Sequence, residues 1–220
     1  YYLDHIDLLP DILKKRIGSG LVIFFGNNDS PVNYPSNIYK FRQDSSFLYY
    51  FGQHREGLVG VIDIDNNDEY LIGNDIDIED IVWFGQVDSV ADLASQCGVA
   101  HYAPMSELSN MVNKAKAKGQ EIHFLPPYRH DLMIQIMDLL GIHPSKQREA
   151  ASLKLIKAVI DQRAVKSAAE IEEMERACTI GYEMHTTAMK LCKPGTTEQY
   201  IAGVISGIAS SKGCMVSFPP

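Results

Sequence analysis

The sequence predicts an α/β fold, in which a sheet is flanked by helices, followed by a largely helical C-terminal part. Short apolar runs rich in β-branched and aromatic residues alternate with helix-period segments through residue 143. A break follows at 141–145, where a glycine can end a helix and a proline restricts the residue before it. With 45% hydrophobic and 22% charged residues, the composition is that of a globular protein with a packed core.

Five runs of strand length are the candidates for the sheet, at 21–25, 47–51, 58–62, 70–72 and 122–125. Their near-continuous apolarity indicates a sheet covered on both faces. Asn66 and Asn67 favour a turn, so the third and fourth runs are predicted to form an antiparallel hairpin. The acidic spacing of this turn resembles a calcium loop. However, Asp68 and Asn74 stand where such a loop needs glycine and glutamate, so calcium is rejected.

Helices are predicted where apolar residues recur at helical spacing between capping signals. One begins at Ser106 and ends near Gly119, and another ends at Gly141. Beyond the break, a further helix is predicted from an apolar stripe of Leu153, Ile156, Val159 and Ile160.

A capping box of Ser167 and Glu170 predicts the start of a longer helix. Its predicted buried face consists of Ile171, Met174, Cys178, Gly181, His185, Ala188 and Met189. Thr196 with Gln199 is predicted to cap the last helix. Residues 215–218 are predicted to begin a strand. So few elements cannot bury a core of their own. We therefore expect a first domain at 1–143, a linker helix region at 144–166 and an incomplete domain at 167–220.

Composition excludes several classes of function. The net charge of −8 would repel nucleic acid, so no nucleic-acid partner is expected. The longest apolar run has five residues, Leu21–Phe25, too short for a membrane helix or a signal peptide. Four widely spaced cysteines do not form a disulfide framework. These observations together predict a cytoplasmic protein without a membrane partner.

Catalytic motifs are absent from the sequence, which has no H-E-x-x-H, P-loop, G-x-S-x-G or Cys/His metal cluster. The seven histidines form no i, i+4 pair, so none is assigned to a metal. His185 lies on a predicted apolar stripe and is interpreted as a core or interface histidine. We predict no catalytic residue and no metal ligand in this chain.

Two places are candidates for binding. In an extended chain the side chains of Arg42 and Asp44 point to the same side. They are interpreted either as a structural ion pair at the start of a strand or as residues that contact the substrate together. Trp83, the single tryptophan, follows an acidic stretch and is either partial core or a binding platform.

Several segments together resemble one family. Residues 42–52, RQDSSFLYYFG, resemble the R-x-D-S-x-F-x-Y-x-x-G segment of the N-terminal domain of Xaa-Pro aminopeptidases, and 79–85, EDIVWFG, resemble the acidic W-x-G stretch after it. Residues 163–171 resemble the R-x-x-K-x-x-x-E-I helix that opens the family's pita-bread domain. Residues 194–198 resemble its P-G-x-x-E turn.

The resemblance implies a creatinase/aminopeptidase P-like N-terminal domain with a mixed sheet, followed by the start of a truncated pita-bread domain. Such enzymes remove an N-terminal residue that precedes proline, and they use manganese or other divalent metal ions. The metal ligands are expected beyond Pro220, so this chain alone is expected to bind no metal and to be inactive.

The resemblance also implies that the N-terminal domain shapes the groove for proline-containing peptides and supports a homodimer or higher homo-oligomer. Trp83 is the residue we expect to border the substrate. Two alternatives stay open, a non-catalytic pita-bread-related protein-binding module and a creatinase-like hydrolase, and the residues after Pro220 would discriminate among all three.

Overall fold

The computed structural model describes residues 9–77, 81–83 and 85–220. The chain divides into two compact units, Tyr1–Ala164 and Val165–Pro220. Each unit is described by itself below. Among the described residues, no helix is both long and apolar enough to cross a bilayer.

The first unit alternates strands and helices, as the sequence predicts. Its strands are β1 (Leu21–Phe25), β2 (Pro31–Tyr34), β3 (Asn37–Ile38), β4 (Val59–Asp63), β5 (Asp68–Ile72), β6 (His101–Ala103) and β7 (Ile122–Phe124). Its helices are α1 (Leu9–Ile17), α2 (Ser45–Phe51), α3 (Val90–Gln96), α4 (Ser106–Ala117), α5 (His130–Leu140), α6 (Pro144–Ala150) and α7 (Leu153–Ala164).

Five strands form one mixed sheet in the order β6-β5-β4-β1-β7. Strand β1 lies between β4 and β7, and it pairs antiparallel with β4 and parallel with β7. The predicted hairpin is confirmed, because β4 and β5 pair antiparallel around the turn that contains Asn67, a residue with a φ of 56°. Strands β2 and β3 form a separate two-stranded ribbon with exposed side chains.

Both faces of the sheet are covered, which confirms the expectation from its apolar strands. Val22 and Phe24 of β1 point into a cluster that also holds residues of α1, α2, α3 and α7. Leu21, Ile23 and Phe25 point into a second cluster with residues of α4 and α5. This alternation follows from the two-residue period of a strand.

The predicted strand at 47–51 is wrong, because these residues lie in α2. The Oδ1 atom of Asp44 accepts hydrogen bonds from the backbone N–H groups of Ser46 and Phe47, both at 2.9 Å. Gly52 ends the helix in the left-handed conformation with a φ of 63°. An N-cap and a glycine C-cap therefore outweigh the strand preference of five apolar and aromatic residues.

Helix α7 lies within the stretch predicted as a linker, and it packs against α1 within the first unit. Arg16 of α1 forms an ion pair with Asp161 at 2.7 Å. The predicted stripe on this helix is partly wrong, because Leu153 and Ile160 are 62% and 59% exposed. The face that is buried carries Leu155, Ala158, Val159 and Gln162.

The second unit consists of helices α8 (Ala168–Leu191) and α9 (Glu198–Ser211). The capping box of Ser167 and Glu170 is confirmed, whereas α9 is capped by Thr197 and not by Thr196. The predicted buried face of α8 is wrong, since none of its residues is buried. Within this unit α8 has only α9 and a short tail to pack against. The predicted strand at 215–218 is also wrong, because these residues form coil and a bend.

Candidate functional site

A polar groove of about 320 Å³ lies beside the end of β1. Its walls come from three segments, 27–30, 39–45 and 128–129. Because β1 and β7 are parallel neighbours, the segments that follow them leave the sheet at the same edge. This pairing brings residues that follow β1 and residues that follow β7 into one site.

Two buried amide side chains hold the floor of the groove. The Oε1 atom of Gln43 accepts hydrogen bonds from the backbone N–H groups of Asn27, at 2.7 Å, and Asp44, at 2.8 Å. Its Nε2 atom donates to the backbone oxygen of Arg55 at 2.8 Å. The Nδ2 atom of Asn27 donates to the backbone oxygen of Arg42 at 2.8 Å. Gln43 thus joins the segments after β1, before α2 and after α2.

Asp44 has a structural role at the edge of this groove. Besides capping α2 through Oδ1, its Oδ2 atom accepts a hydrogen bond from the hydroxyl of Tyr128 at 3.2 Å. The Tyr128 hydroxyl also lies 3.2 Å from the Nδ2 atom of Asn27. Arg42 and Asp44 were predicted to stand at the start of a strand, but they stand at the start of helix α2. The Arg42 side chain is exposed and lines the groove.

Arg129 is held in place by charge and by a backbone contact. Its Nε and one guanidinium NH2 nitrogen donate to Asp131 at 3.1 and 3.2 Å, and that NH2 also donates to the backbone oxygen of Asn28 at 2.9 Å. Burial alone would raise the pKa of Asp131, but hydrogen bonds from Arg129 and Asn28 hold the pKa below its usual value. Burial and the nearby Glu56 raise the pKa of Asp29.

Trp83 lies in a short helical turn, 81–83, and 82% of its surface is exposed. Its neighbours Ile81 and Val82 are 43% and 79% exposed, so the turn presents apolar surface to solvent. The backbone N–H of Gly85 donates to the oxygen of Ile81 at 2.9 Å. Positions 79, 80 and 84 of the second motif lie outside the described residues. The role of Trp83 at a substrate site stays a prediction.

Metal binding does not fit the residues that the structure describes. None of them belongs to a group of three or more His, Cys, Asp or Glu side chains that could hold a metal ion. His185 is exposed on α8 and does not lie in a core. No metal-dependent step is therefore assigned to the described residues.

Among the described residues, His123 on β7 is a buried histidine, and sequence reasoning did not single it out. It is 0% exposed, and its Nδ1 and Nε2 atoms lie 2.7 Å from Ser152 Oγ and 3.0 Å from the backbone oxygen of Ser19. A carbonyl oxygen can only accept, so Nε2–H donates to Ser19. Both ring nitrogens have partners, which indicates a structural role.

Comparison with known proteins identifies the family. The family model of the aminopeptidase P N-terminal domain matches residues 11–123, half of the chain. The chain belongs to this aminopeptidase P N-terminal domain family. The resemblance seen in the sequence is thereby confirmed. No curated protein sequence matches the chain.

Solved structures of aminopeptidase P share the fold of this chain. The low-pH form of the Escherichia coli enzyme is 22% identical, with a TM-score of 0.75, and the match covers 96% of this chain and 50% of that one. Pseudomonas aeruginosa aminopeptidase PepP is 20% identical, with a TM-score of 0.78, over 96% of this chain and 49% of that one. The predicted α/β fold is confirmed, and the chain spans about half the length of these structures.

Proposed function

We propose that this chain is the N-terminal part of a metal-dependent Xaa-Pro aminopeptidase. The observation that carries this proposal is the match of the aminopeptidase P N-terminal domain to residues 11–123. The fold shared with two bacterial aminopeptidases P over 96% of the chain supports it. The parent enzyme would remove the first residue of peptides whose second residue is proline.

In this proposal, manganese or other divalent ions are bound by the half of the enzyme that follows this chain. Two such ions would activate water and stabilise the developing charge on the peptide oxygen. The chain itself would be inactive. The proposal includes a cytoplasmic location, which agrees with four cysteines that form no disulfide.

The test is cleavage of a peptide with proline at its second position, with and without manganese. This chain is compared with the full-length protein, and a peptide with alanine at the second position is the control. We expect manganese-dependent cleavage of the proline peptide by the full-length protein only. If neither protein cleaves it, the binding-module alternative replaces this proposal, and hydrolysis of creatine instead would favour the creatinase-like alternative.

Within the parent enzyme, we propose that this chain shapes the substrate groove and supports oligomer formation. The exposed apolar turn around Trp83 supports this role, because large exposed apolar patches are typical of interaction sites. Trp83→Ala in the full-length protein is expected to weaken peptide binding or shift the oligomeric state, measured by KM and light scattering. Tyr102→Ala removes another exposed aromatic ring and is the control. Unchanged KM and unchanged mass for the Trp83 variant would contradict the proposal.

A further inference from the structure

The exposed apolar turn around Trp83 belongs to a loop that connects β5 to α3. We call residues 75–88 the Trp83 loop. Asn74 precedes this loop, and Ser89 and Val90 lead from it into α3. Binding residues on loops act from a defined place when a rigid scaffold positions the loop. The contacts at the two ends of the Trp83 loop therefore determine whether Trp83 has such a place.

Arg55, in the segment after α2, contacts both ends of the Trp83 loop. Its Nη2 atom donates to the backbone oxygen of Asn74 at 2.7 Å, and its Nη1 atom donates to the backbone oxygen of Asp88 at 3.1 Å. A guanidinium group is planar and holds its N–H donors in fixed directions, so one arginine can bind two carbonyl oxygens at once. Arg55 thereby closes the base of the loop.

The base of the Trp83 loop has a second hydrogen bond, which the loop makes itself. The Oδ1 atom of Asp75 accepts from the backbone N–H of Val90 at 2.6 Å. Val90 is 3% exposed and is the first residue of α3. The first N–H groups of a helix have no partner within the helix, so Asp75 satisfies a buried donor. The two ends of the loop are thus joined directly as well as through Arg55.

Arg55 and the start of the loop are both attached to the rest of the domain. The backbone oxygen of Arg55 accepts a hydrogen bond from the buried side chain of Gln43 at 2.8 Å. The Oδ1 atom of Asn74 accepts from the backbone N–H of Met105 at 3.0 Å. Among the described residues Arg55 forms no ion pair, so its guanidinium group is used on the two loop ends. The position of the base is therefore fixed by contacts outside the loop.

We propose that Arg55 is a positioning residue, which holds the Trp83 turn in a fixed place by closing the base of its loop. The consequence for peptide binding or oligomer formation rests on the function proposed above for Trp83. A surface that is ordered beforehand loses less conformational entropy on binding, so it binds its partner more tightly. Loss of the Arg55 side chain therefore weakens the interaction made by Trp83 without removing any atom of the turn.

The first test follows opening of the base by amide hydrogen exchange in the 220-residue chain. The Val90 amide reports the base, and the Leu21 amide, which donates to the oxygen of Glu121 at 2.9 Å, reports the rest of the domain. In Arg55→Ala we expect exchange at Val90 to be about tenfold faster, because hydrogen bonds from a charged group are lost. Exchange at Leu21 is expected to stay unchanged. The control is Arg16→Ala, which removes an arginine that pairs with Asp161 and should leave the Val90 amide unaffected.

The second test uses Trp83 as a spectroscopic probe. It is the single tryptophan of the chain, so its fluorescence reports this loop alone. We expect Arg55→Ala to lower the fluorescence anisotropy, because a loop with an open base moves more on the nanosecond timescale. Asp75→Ala removes the other hydrogen bond at the base and is expected to give the same change. This second variant decides the question if Arg55→Ala does not fold.

The third test places both residues in one interaction of the full-length protein. Arg55→Ala is expected to weaken the interaction that Trp83→Ala weakens, by about threefold, measured as KM rather than kcat or as the dissociation constant of the oligomer. The double variant should bind no more weakly than Trp83→Ala alone, because Arg55 acts only through the turn.

Three outcomes would overturn the proposal. Unchanged exchange at Val90 in Arg55→Ala would mean that the arginine does not close the base. Equally faster exchange at Leu21 would mean that the whole domain is destabilised. Additive losses in the double variant would mean that Arg55 acts apart from Trp83. If the full-length protein cleaves no Xaa-Pro peptide, the proposed function fails while the exchange at Val90 still decides the role of Arg55.

Discussion

Gln43 is the residue whose loss should most directly damage the polar groove. It is 4% exposed and makes three hydrogen bonds, with the N–H groups of Asn27 and Asp44 and with the oxygen of Arg55. A buried hydrogen bond contributes about 1 kcal/mol net. We therefore expect Gln43→Ala to lower the free energy of unfolding by about 3 kcal/mol.

The assay is urea unfolding followed by near-ultraviolet circular dichroism. This signal reports buried aromatic rings of the first unit, such as Phe24 and Tyr50, whose ring centroids lie 4.5 Å apart. Trp83 is exposed and contributes little to it. A loss of about 3 kcal/mol corresponds to a drop of about 6 to 12 °C in the melting temperature of a chain of this size.

The control is Gln96→Ala, which removes an exposed glutamine with one hydrogen bond, to Asp88 at 2.7 Å. It is expected to change the free energy of unfolding by less than about 0.5 kcal/mol. If the Gln43 variant were as stable as the Gln96 variant, the reasoning that Gln43 joins three loops would be refuted.

Three further predictions concern the same unit. Gly60→Ala should destabilise by about 1–3 kcal/mol, because its Cβ would overlap the buried ring of Phe51; a variant as stable as the wild type in urea would contradict this. Asp44→Ala should cost about 1 kcal/mol through loss of the α2 cap, measured in the same way. The pKa of Asp131 is lower in the folded state than its ordinary value of 3.8, so its stabilisation is present above that value and is lost as the pH falls through the folded pKa. Unfolding of Asp131→Asn should therefore depend less on pH in this acidic range than that of the wild type.

Four of the seven described strands of the first unit could be predicted from the sequence, because β1, β4, β5 and β7 each overlap a short apolar run. The strands β2, β3 and β6 were not predicted, since they are short, mostly exposed segments without such a run. The hairpin of β4 and β5 is local, so Asn66 and Asn67 were sufficient to predict it. Residues 47–51 were misread because five consecutive apolar residues have no period that separates a strand from a helix. The N-cap at Asp44 and the αL glycine at Gly52 were the signals that would have corrected this.

The groove could not be predicted, because its residues are distant in sequence. Asn27 and Tyr128 come together only through the parallel pairing of β1 with β7, and no local pattern encodes that pairing. Arg42 and Asp44 were recognised as neighbours, but the place of Arg42 at the groove depends on that topology, whereas the helix cap at Asp44 is a local contact. The buried face of α7 was also predicted incorrectly, because it includes the polar residue Gln162. The Tyr50 hydroxyl of α2, which is distant in sequence, donates a hydrogen bond to this side chain at 2.9 Å.

The pairing of β1 with β7 also constrains the order in which the domain folds. Leu21 pairs with Ile122, so this contact closes a loop that contains all the strands from β2 to β6, whereas the pairing of β4 with β5 closes only a short turn. Contacts between residues that are close in sequence form sooner, because a long-range contact must first offset the larger entropy that is lost when a long loop closes. During synthesis, β1 would therefore meet β4 well before β7 leaves the ribosome. The groove would be complete only after Tyr128 and Arg129 have been synthesised, so a shorter, partly synthesised chain would lack one of its walls.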